Sequence, residues 1–243
     1  MSELILHQYA ESLFSEKVRL LLGYKRASYR MVEIPMIMPR PYYIPLTGGY
    51  RKTPVLQIGS DIYCDTALIC RVIDDMYPEN TIYPEAQAGT DNAVAQWTDS
   101  FFLKVCAGLV FQPKAAAANP LFQDEEKRKA FVADRINLTG GSNDLQMALE
   151  TAEPYFLAHL DRLDTQLGGS QPFLGGETPS IADFSTYHNC WFVNERDVLR
   201  DMFDPFRHVI AWYDRMVDFG HGEFEMISGA AALDAAIRAE PDE

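Results

Sequence analysis

The chain has 243 residues, of which 47% are hydrophobic and 23% charged, and its net charge is −14. That balance excludes a disordered chain, a collagen-like one and a disulfide-stapled mini-scaffold, and allows one large domain or two small ones. The acidic sum argues against nucleic acid and against anionic membrane surfaces as partners. No apolar run reaches the ~18 residues of a membrane helix and the first residues open no signal peptide, so a cytoplasmic protein is expected. Cys64, Cys70, Cys106 and Cys190 form no C-x-x-C pair and the five histidines are scattered. Neither a disulfide framework nor a metal site is therefore expected.

Leu4-Ile5-Leu6 reads as a strand, and Phe14, Val18, Leu21 and Leu22 then recur at helical spacing behind Ser12 or Ser15 as cap. Tyr29 to Ile34 alternates apolar and polar residues as a second strand does. Strand, helix and strand in so few residues make a βαβ unit with parallel strands. Pro54 to Ile58 and Asp61 to Cys64 read as two strands joined by Gly59-Ser60, a hairpin signal. Asp65-Thr66 then opens a helix that Pro78 ends. The connection over residues 35–53 holds four prolines and Gly48-Gly49, and ordered loops of that length are often functional. Residues 17–52 carry eight Lys/Arg against the single acid Glu33. The excess reads either as a solvated basic face or as a local site for a small anion.

Residues 81–89 read as a linker, and no strand pattern follows residue 81. Val94, Trp97, Phe101, Val105 and Leu109 form one helical stripe, and Leu145, Leu149, Ala152, Phe156, Leu160, Leu163 and Leu167 another, ended by Gly168-Gly169. Ser180 and Asp183 have capping-box spacing ahead of a helix with Phe184, Tyr187 and Trp191. Phe206, Ile210, Tyr213 and Val217 mark a further helix. Residues 90–243 thus read as an all-helical domain behind an α/β domain of residues 1–80.

This order resembles the cytosolic glutathione S-transferases. Ser12-Leu13-Phe14-Ser15-Glu16-Lys17-Val18-Arg19 is similar to the S-P-F-S-x-K-V-R motif of serine-type bacterial and plant members, with Leu13 in place of the proline. Lys52-Thr53-Pro54-Val55-Leu56 followed by Asp65-Thr66 resembles their K-x-P-V-L…E-S element, and Ser180-x-x-Asp183 their capping box. The resemblance spans essentially the whole chain. It implies a thioredoxin-like N-terminal domain that binds glutathione, a helical domain that contributes the pocket for a small hydrophobic electrophile, and a homodimer. It needs no metal.

Glutathione's thiol must ionise to react. Lowering a thiol pKa of ~8.5 by ~2 units takes ~2.7 kcal/mol. A helix N-terminus supplies up to ~2 kcal/mol and a hydroxyl donor ~1.5–3 kcal/mol, so a serine at the start of the first helix suffices. The resemblance assigns this role to Ser12, with Ser15 and Tyr9 as rivals. It assigns Lys52 to the glycine carboxylate, the backbone of Thr53 before a cis Pro54 to the peptide, and Asp65 and Thr66 to the γ-glutamyl end. Read without it, Asp65-Thr66 is equally a helix cap or a helix-start anion site, and Trp97, Phe101 and Val105 line a pocket or, more commonly for such a stripe, form plain core. A non-catalytic ligand-carrying or interaction module on the same fold is the alternative.

Overall fold

The computed structural model describes residues 3–142 and 147–241. Strand β1 (Leu4–Gln8), helix α1 (Leu13–Tyr24) and strand β2 (Ser28–Glu33) form the expected βαβ unit, with β1 and β2 parallel. Helix α2 (Tyr43–Leu46) lies in the long connection, after which β3 (Val55–Ile58) and β4 (Asp61–Cys64) pair antiparallel across the Gly59-Ser60 turn. Gly59 has φ +61°, which suits a residue without a Cβ. Helix α3 (Thr66–Met76) closes the βαβ-ββα series. Lys25 ends that helix: its buried Nζ donates to the carbonyls of Tyr77, Glu79 and Asn80 and pairs with Asp74 at 2.7 Å.

Two compact units divide the chain, one of residues 1–80 together with 219–243, the other of Thr81–Asp218. The first unit therefore takes back the C-terminal segment, which the sequence groups with the helical domain. Strand β5 (Glu223–Met226) pairs parallel with β2 and extends the sheet to the order β4-β3-β1-β2-β5. A strand after residue 81 contradicts the sequence reading, and the reason is physical. All four residues of Glu-Phe-Glu-Met are exposed, so no buried apolar face marks them; the ladder to β2 makes the strand. A later helix (Gly229–Arg238) lays Ala232 into a core of Ile5, Val32, Ile34, Tyr43 and Val55.

The second unit is all-helical among its described residues. Helix α4 (Ala88–Trp97), a π-helical segment (Thr98–Phe102) and α5 (Leu103–Val110) follow one another directly. Then come α6 (Pro113–Ala118), α7 (Pro120–Gln123), α8 (Glu125–Leu138), α9 (Leu149–Leu167), α10 (Ile181–Asn194), a 3₁₀ segment (Asp197–Phe203) and α11 (Arg207–Val217). In chain order the Gly229–Arg238 helix is α12.

The α9 stripe is buried from Ala152 to Leu167 and ends at Gly168 as expected; Leu145 lies outside the described residues. Two other stripes are out of phase, the first only before Val105, since Val105 and Leu109 are buried as expected. The buried face of the α4–α5 run is Ala95, Thr98, Phe102, Val105 and Leu109, with Trp97 38% exposed, because the π segment adds a residue to the turn. On α11 the buried residues are Val209, Trp212 and Met216, while Ile210 and Val217 face out. Trp212 sets that phase: its Nε1 donates to Asp183 at 2.9 Å. The capping box at Ser180 and Asp183 forms, and Asp183 also accepts from the amides of Leu174 (2.7 Å) and Gly175 (2.9 Å). The stretch read as a linker carries an anchor, since Ile82 is buried and its carbonyl accepts from the Ile181 amide at 2.9 Å.

Candidate functional site

Strand register gathers the residues of interest. His7 on β1 is opposite Val55 on β3, and Val55 is opposite Cys64 on β4. With strands about 4.8 Å apart, the turn after β1, the Thr53–Pro54 peptide before β3 and Asp65 after β4 share one end of the sheet. Tyr9, Tyr43, Tyr50, Val55 and Cys64 belong to one apolar cluster there.

Ser12 is the N-cap of α1, with extended backbone (φ −78°, ψ 114°), and its Oγ accepts from the Ser15 amide at 3.2 Å. Capping uses the oxygen's lone pair and leaves the hydroxyl proton for another acceptor. Ser12 is 3% exposed. Ser15 is fully buried, with no hydrogen-bond partner for its Oγ. Tyr9 is half-buried, with the Arg40 guanidinium 5.8 Å from its ring centroid.

The Thr53–Pro54 peptide is cis. Thr53 is half-buried and Lys52 exposed; the Lys52 carbonyl accepts from the Tyr43 hydroxyl. Asp65 has φ +75° and ψ 130° and caps α3 by accepting from the Ala67 amide at 2.9 Å. A non-glycine residue there is strained, and such strain clusters at functional sites. Thr66 is buried at the same helix start. Structurally, then, Asp65 is a cap, and the helix start is also an array of amides suited to an anion. The thiol of Cys64 is pushed up by burial and by Asp65.

Two features escape the sequence reading. The first is Arg40, 3% exposed inside the proline-rich connection. Its guanidinium donates to the carbonyls of Pro35 (2.7 Å), Met36 (2.7 Å) and Arg51 (2.6 Å) and to Thr53 Oγ1 (3.0 Å). It stands between the rings of Tyr9 and Tyr43. One side chain thus folds the connection and delivers Thr53 beside β1. A lone arginine among prolines is the only trace of this in the sequence.

The second is a clamp on the Tyr9–Ala10 turn. The Ala10 amide donates to Glu33 at 3.1 Å, while its carbonyl accepts from Arg19 Nη2 at 3.0 Å. Arg19 also reaches Gln8 and pairs with Glu16 at 2.7 Å. Desolvation raises the Glu33 carboxyl. Desolvation also acts to raise Glu16, but His221 and Arg19 overcome it and hold Glu16 below the usual carboxylate range. Half of the basic excess of residues 17–52 is accordingly not a solvated face. Lys17, Arg19, Lys25 and Arg40 are buried, and at least the last three fasten backbone carbonyls.

Within the helical unit, Trp97, Phe101, Phe102, Val105, Tyr155 and Arg162 line an open cleft of about 330 Å³. Three of them, Trp97, Phe101 and Val105, belong to the helical stripe that plain core would otherwise explain. His159 is buried between the rings of Trp97 and Phe102, and burial followed by Arg162 lowers its pKa to about 4. Among the described residues no group of His, Cys, Asp or Glu is disposed to hold a metal ion, and no helix is long and apolar enough to cross a membrane.

A thioredoxin-like α/β unit followed by an all-helical unit, with a capped helix and a cis-proline at one sheet end, defines a class of protein. Comparison places the chain within it. Residues 6–81 match the glutathione S-transferase N-terminal domain and residues 146–215 its C-terminal domain. A GST-like protein from Pseudomonas syringae is 40% identical, with a TM-score of 0.82 over 100% of this chain and 77% of that one. The chain belongs to the cytosolic glutathione S-transferase family. Two more distant structures share its fold. The β-etherase LigF from Sphingobium sp. strain SYK-6 is 19% identical (TM-score 0.63, covering 89% and 95% of the two chains). A theta class enzyme from Xanthomonas axonopodis pv. citri, with glutathione bound, is 20% identical (TM-score 0.60, covering 89% and 93%). Among curated proteins, an anhydro-N-acetylmuramic acid kinase from Azorhizobium caulinodans is 31% identical over 116 residues, 47% of this chain. The chain spans under a third of that relative's length (30%).

Proposed function

We propose that the protein is a glutathione transferase of the serine type, with Ser12 donating its hydroxyl proton in a hydrogen bond to the glutathione thiolate. The observation that carries this reading is the register of β1, β3 and β4. It puts a helix N-cap hydroxyl, a cis Thr53–Pro54 peptide and the strained start of α3 at one sheet end. Each matches one part of the tripeptide. The dipole of α1 and the Ser12 hydroxyl face the sulfur; the Thr53 backbone pairs with the peptide; the α3 amides with Thr66 and Asp65 take the γ-glutamyl carboxylate and ammonium. Lys52, exposed at the edge, meets the glycine carboxylate.

Ser12 is preferred to Ser15 because Ser15 is wholly buried, and to Tyr9 because the Tyr9 ring packs into the cluster under Arg40. The thiol proton leaves to solvent. The sulfur lone pair then forms a bond to the electrophilic atom, whose leaving group or π bond takes the displaced electron pair. Conjugation, ether cleavage, dehalogenation and peroxide reduction share this attack. The aromatic cleft of the helical unit suits a small apolar electrophile. A cytoplasmic homodimer belongs to the same reading.

One observation favours a non-catalytic ligand carrier instead: Ser12 is only 3% exposed. A thermal-shift titration with glutathione separates the two. A binder gains about 2.7 kcal/mol at a hundredfold excess over Kd. A melting temperature that rises with glutathione, together with turnover of a model aryl halide, supports the transferase. A flat titration overturns it, and a rise without turnover supports the carrier.

A further inference from the structure

His221 enters β5 from the C-terminal segment, and its Nε2 lies 3.1 Å from both carboxylate oxygens of Glu16 on α1. Its carbonyl accepts from the Tyr29 hydroxyl at 3.0 Å. Glu16 is 2% exposed, so its carboxylate depends on the donors around it. Arg19 supplies two, through Nε at 3.1 Å and Nη2 at 2.7 Å. The same guanidinium donates to the carbonyls of Ala10 (3.0 Å) and Tyr9 (3.5 Å). The Tyr9 carbonyl also accepts from the Ser12 amide at 3.1 Å. An unbroken series of contacts therefore runs from the C-terminal segment to the residue that caps α1.

The segment is held without His221. Four residue pairs of β5 lie against β2, from Ser28 opposite Glu223 to Met31 opposite Met226. Gly23 admits the Gly220 backbone so closely that a Cβ there would meet the Gly220 oxygen at 2.0 Å. Removing the imidazole thus breaks the relay and leaves the strap in place.

We propose that residues 219–226 form a positioning strap for the site, with His221 as the positioning residue. His221 fixes Glu16, Glu16 fixes Arg19, and Arg19 fixes the Tyr9 and Ala10 carbonyls that aim Ser12. The inference rests on the reading of Ser12 as the thiolate partner, but its first test does not.

That test is amide hydrogen exchange at Ala10, Ser12 and Ser15 in the full chain without glutathione. Wild type is compared with His221→Ala, His221→Gln and Phe224→Ala. Exchange in His221→Ala is expected to be about tenfold faster at these amides, the scale of one lost hydrogen bond to a charged group. His221→Gln keeps a donor and restores slow exchange. Phe224→Ala trims the strap against Tyr29 without touching the relay and leaves the three amides at wild-type rates. Unchanged exchange in His221→Ala overturns the proposal, and so does equal acceleration in Phe224→Ala. The second measurement is the apparent pKa of the bound glutathione thiol, which rises in His221→Ala and not in Phe224→Ala. If exchange responds while wild type forms no thiolate, the relay stands and the reading of Ser12 falls. If wild type forms thiolate and its pKa is the same in His221→Ala, the strap is structural only and its positioning role is refuted.

Discussion

Replacing Arg40 by methionine keeps most of the side chain's volume and removes every donor. Arg40 makes at least four hydrogen bonds, three of them to backbone carbonyls, at 2.6–3.0 Å while 3% exposed. A hydrogen bond to a charged group is worth ~1.5–3 kcal/mol, which would sum to ~6–12 kcal/mol if the stranded acceptors stayed dry. They do not, because the connection is half-exposed and can open to water. A loss of about 3–5 kcal/mol, well below that sum, is expected. Arg40→Lys recovers ~1–2 kcal/mol at most, since an ammonium cannot span four acceptors as the planar fork does. Urea unfolding measures the loss as a lower midpoint, and limited proteolysis locates it as new cleavage within residues 35–53. Glutathione affinity falls with it, because Lys52 and Thr53 end the connection. An Arg40→Met protein with the wild-type midpoint and no new cleavage would refute the claim that this side chain folds the loop.

Three further expectations can be checked. His159 titrates at about 4 when folded and near 6.5 when unfolded. The unfolded chain takes its proton first as pH falls, so its stability contribution is complete above pH 6.5 and declines toward pH 4, by about 3 kcal/mol. A His159→Phe variant should show a flatter stability curve across that window; parallel curves would remove His159 as the cause. Asp183→Ala strands the amides of Leu174, Gly175 and Ser180 and the Trp212 indole, so calorimetry should show a loss of ~4 kcal/mol, roughly 10 °C in Tm. Thr66→Val keeps the shape and removes the hydroxyl at the start of α3. It should raise the glutathione Kd about tenfold at unchanged Tm, read by calorimetric titration.

Apart from the short helix α2, the elements of the first eighty residues were legible because each carries a local mark: an apolar run, a Gly-Ser turn, a serine or aspartate cap. β5 carries none, since its four residues are all exposed and only the pairing with β2 defines it. Helix α8 was illegible for a related reason: it buries little beyond Phe131 and Asp134, so its charged run shows no stripe. On the α4–α5 run the π segment shifts the phase, and on α11 two helical phases are both periodic and the Trp212 contact chooses the other one. At the site, the motif positions could be read but the groups that hold them could not. Arg40 meets Thr53, Glu33 meets Ala10, and His221 meets Glu16 across 205 residues, and no local pattern encodes such pairs. Of the eight lysines and arginines of residues 17–52, Lys17, Arg19, Lys25 and Arg40 are buried, which no local pattern marks either.

The central claim is that the Ser12 hydroxyl holds the glutathione sulfur as a thiolate. Difference absorbance in the ultraviolet, followed as glutathione is titrated across pH 5–9, reads that species directly. Wild type, Ser15→Ala and Tyr9→Phe should share one lowered thiol pKa, and Ser12→Ala should raise it by about 1–2 units, the equivalent of the lost hydrogen bond. Full thiolate absorbance in Ser12→Ala, with the signal lost instead in Ser15→Ala or Tyr9→Phe, would contradict it.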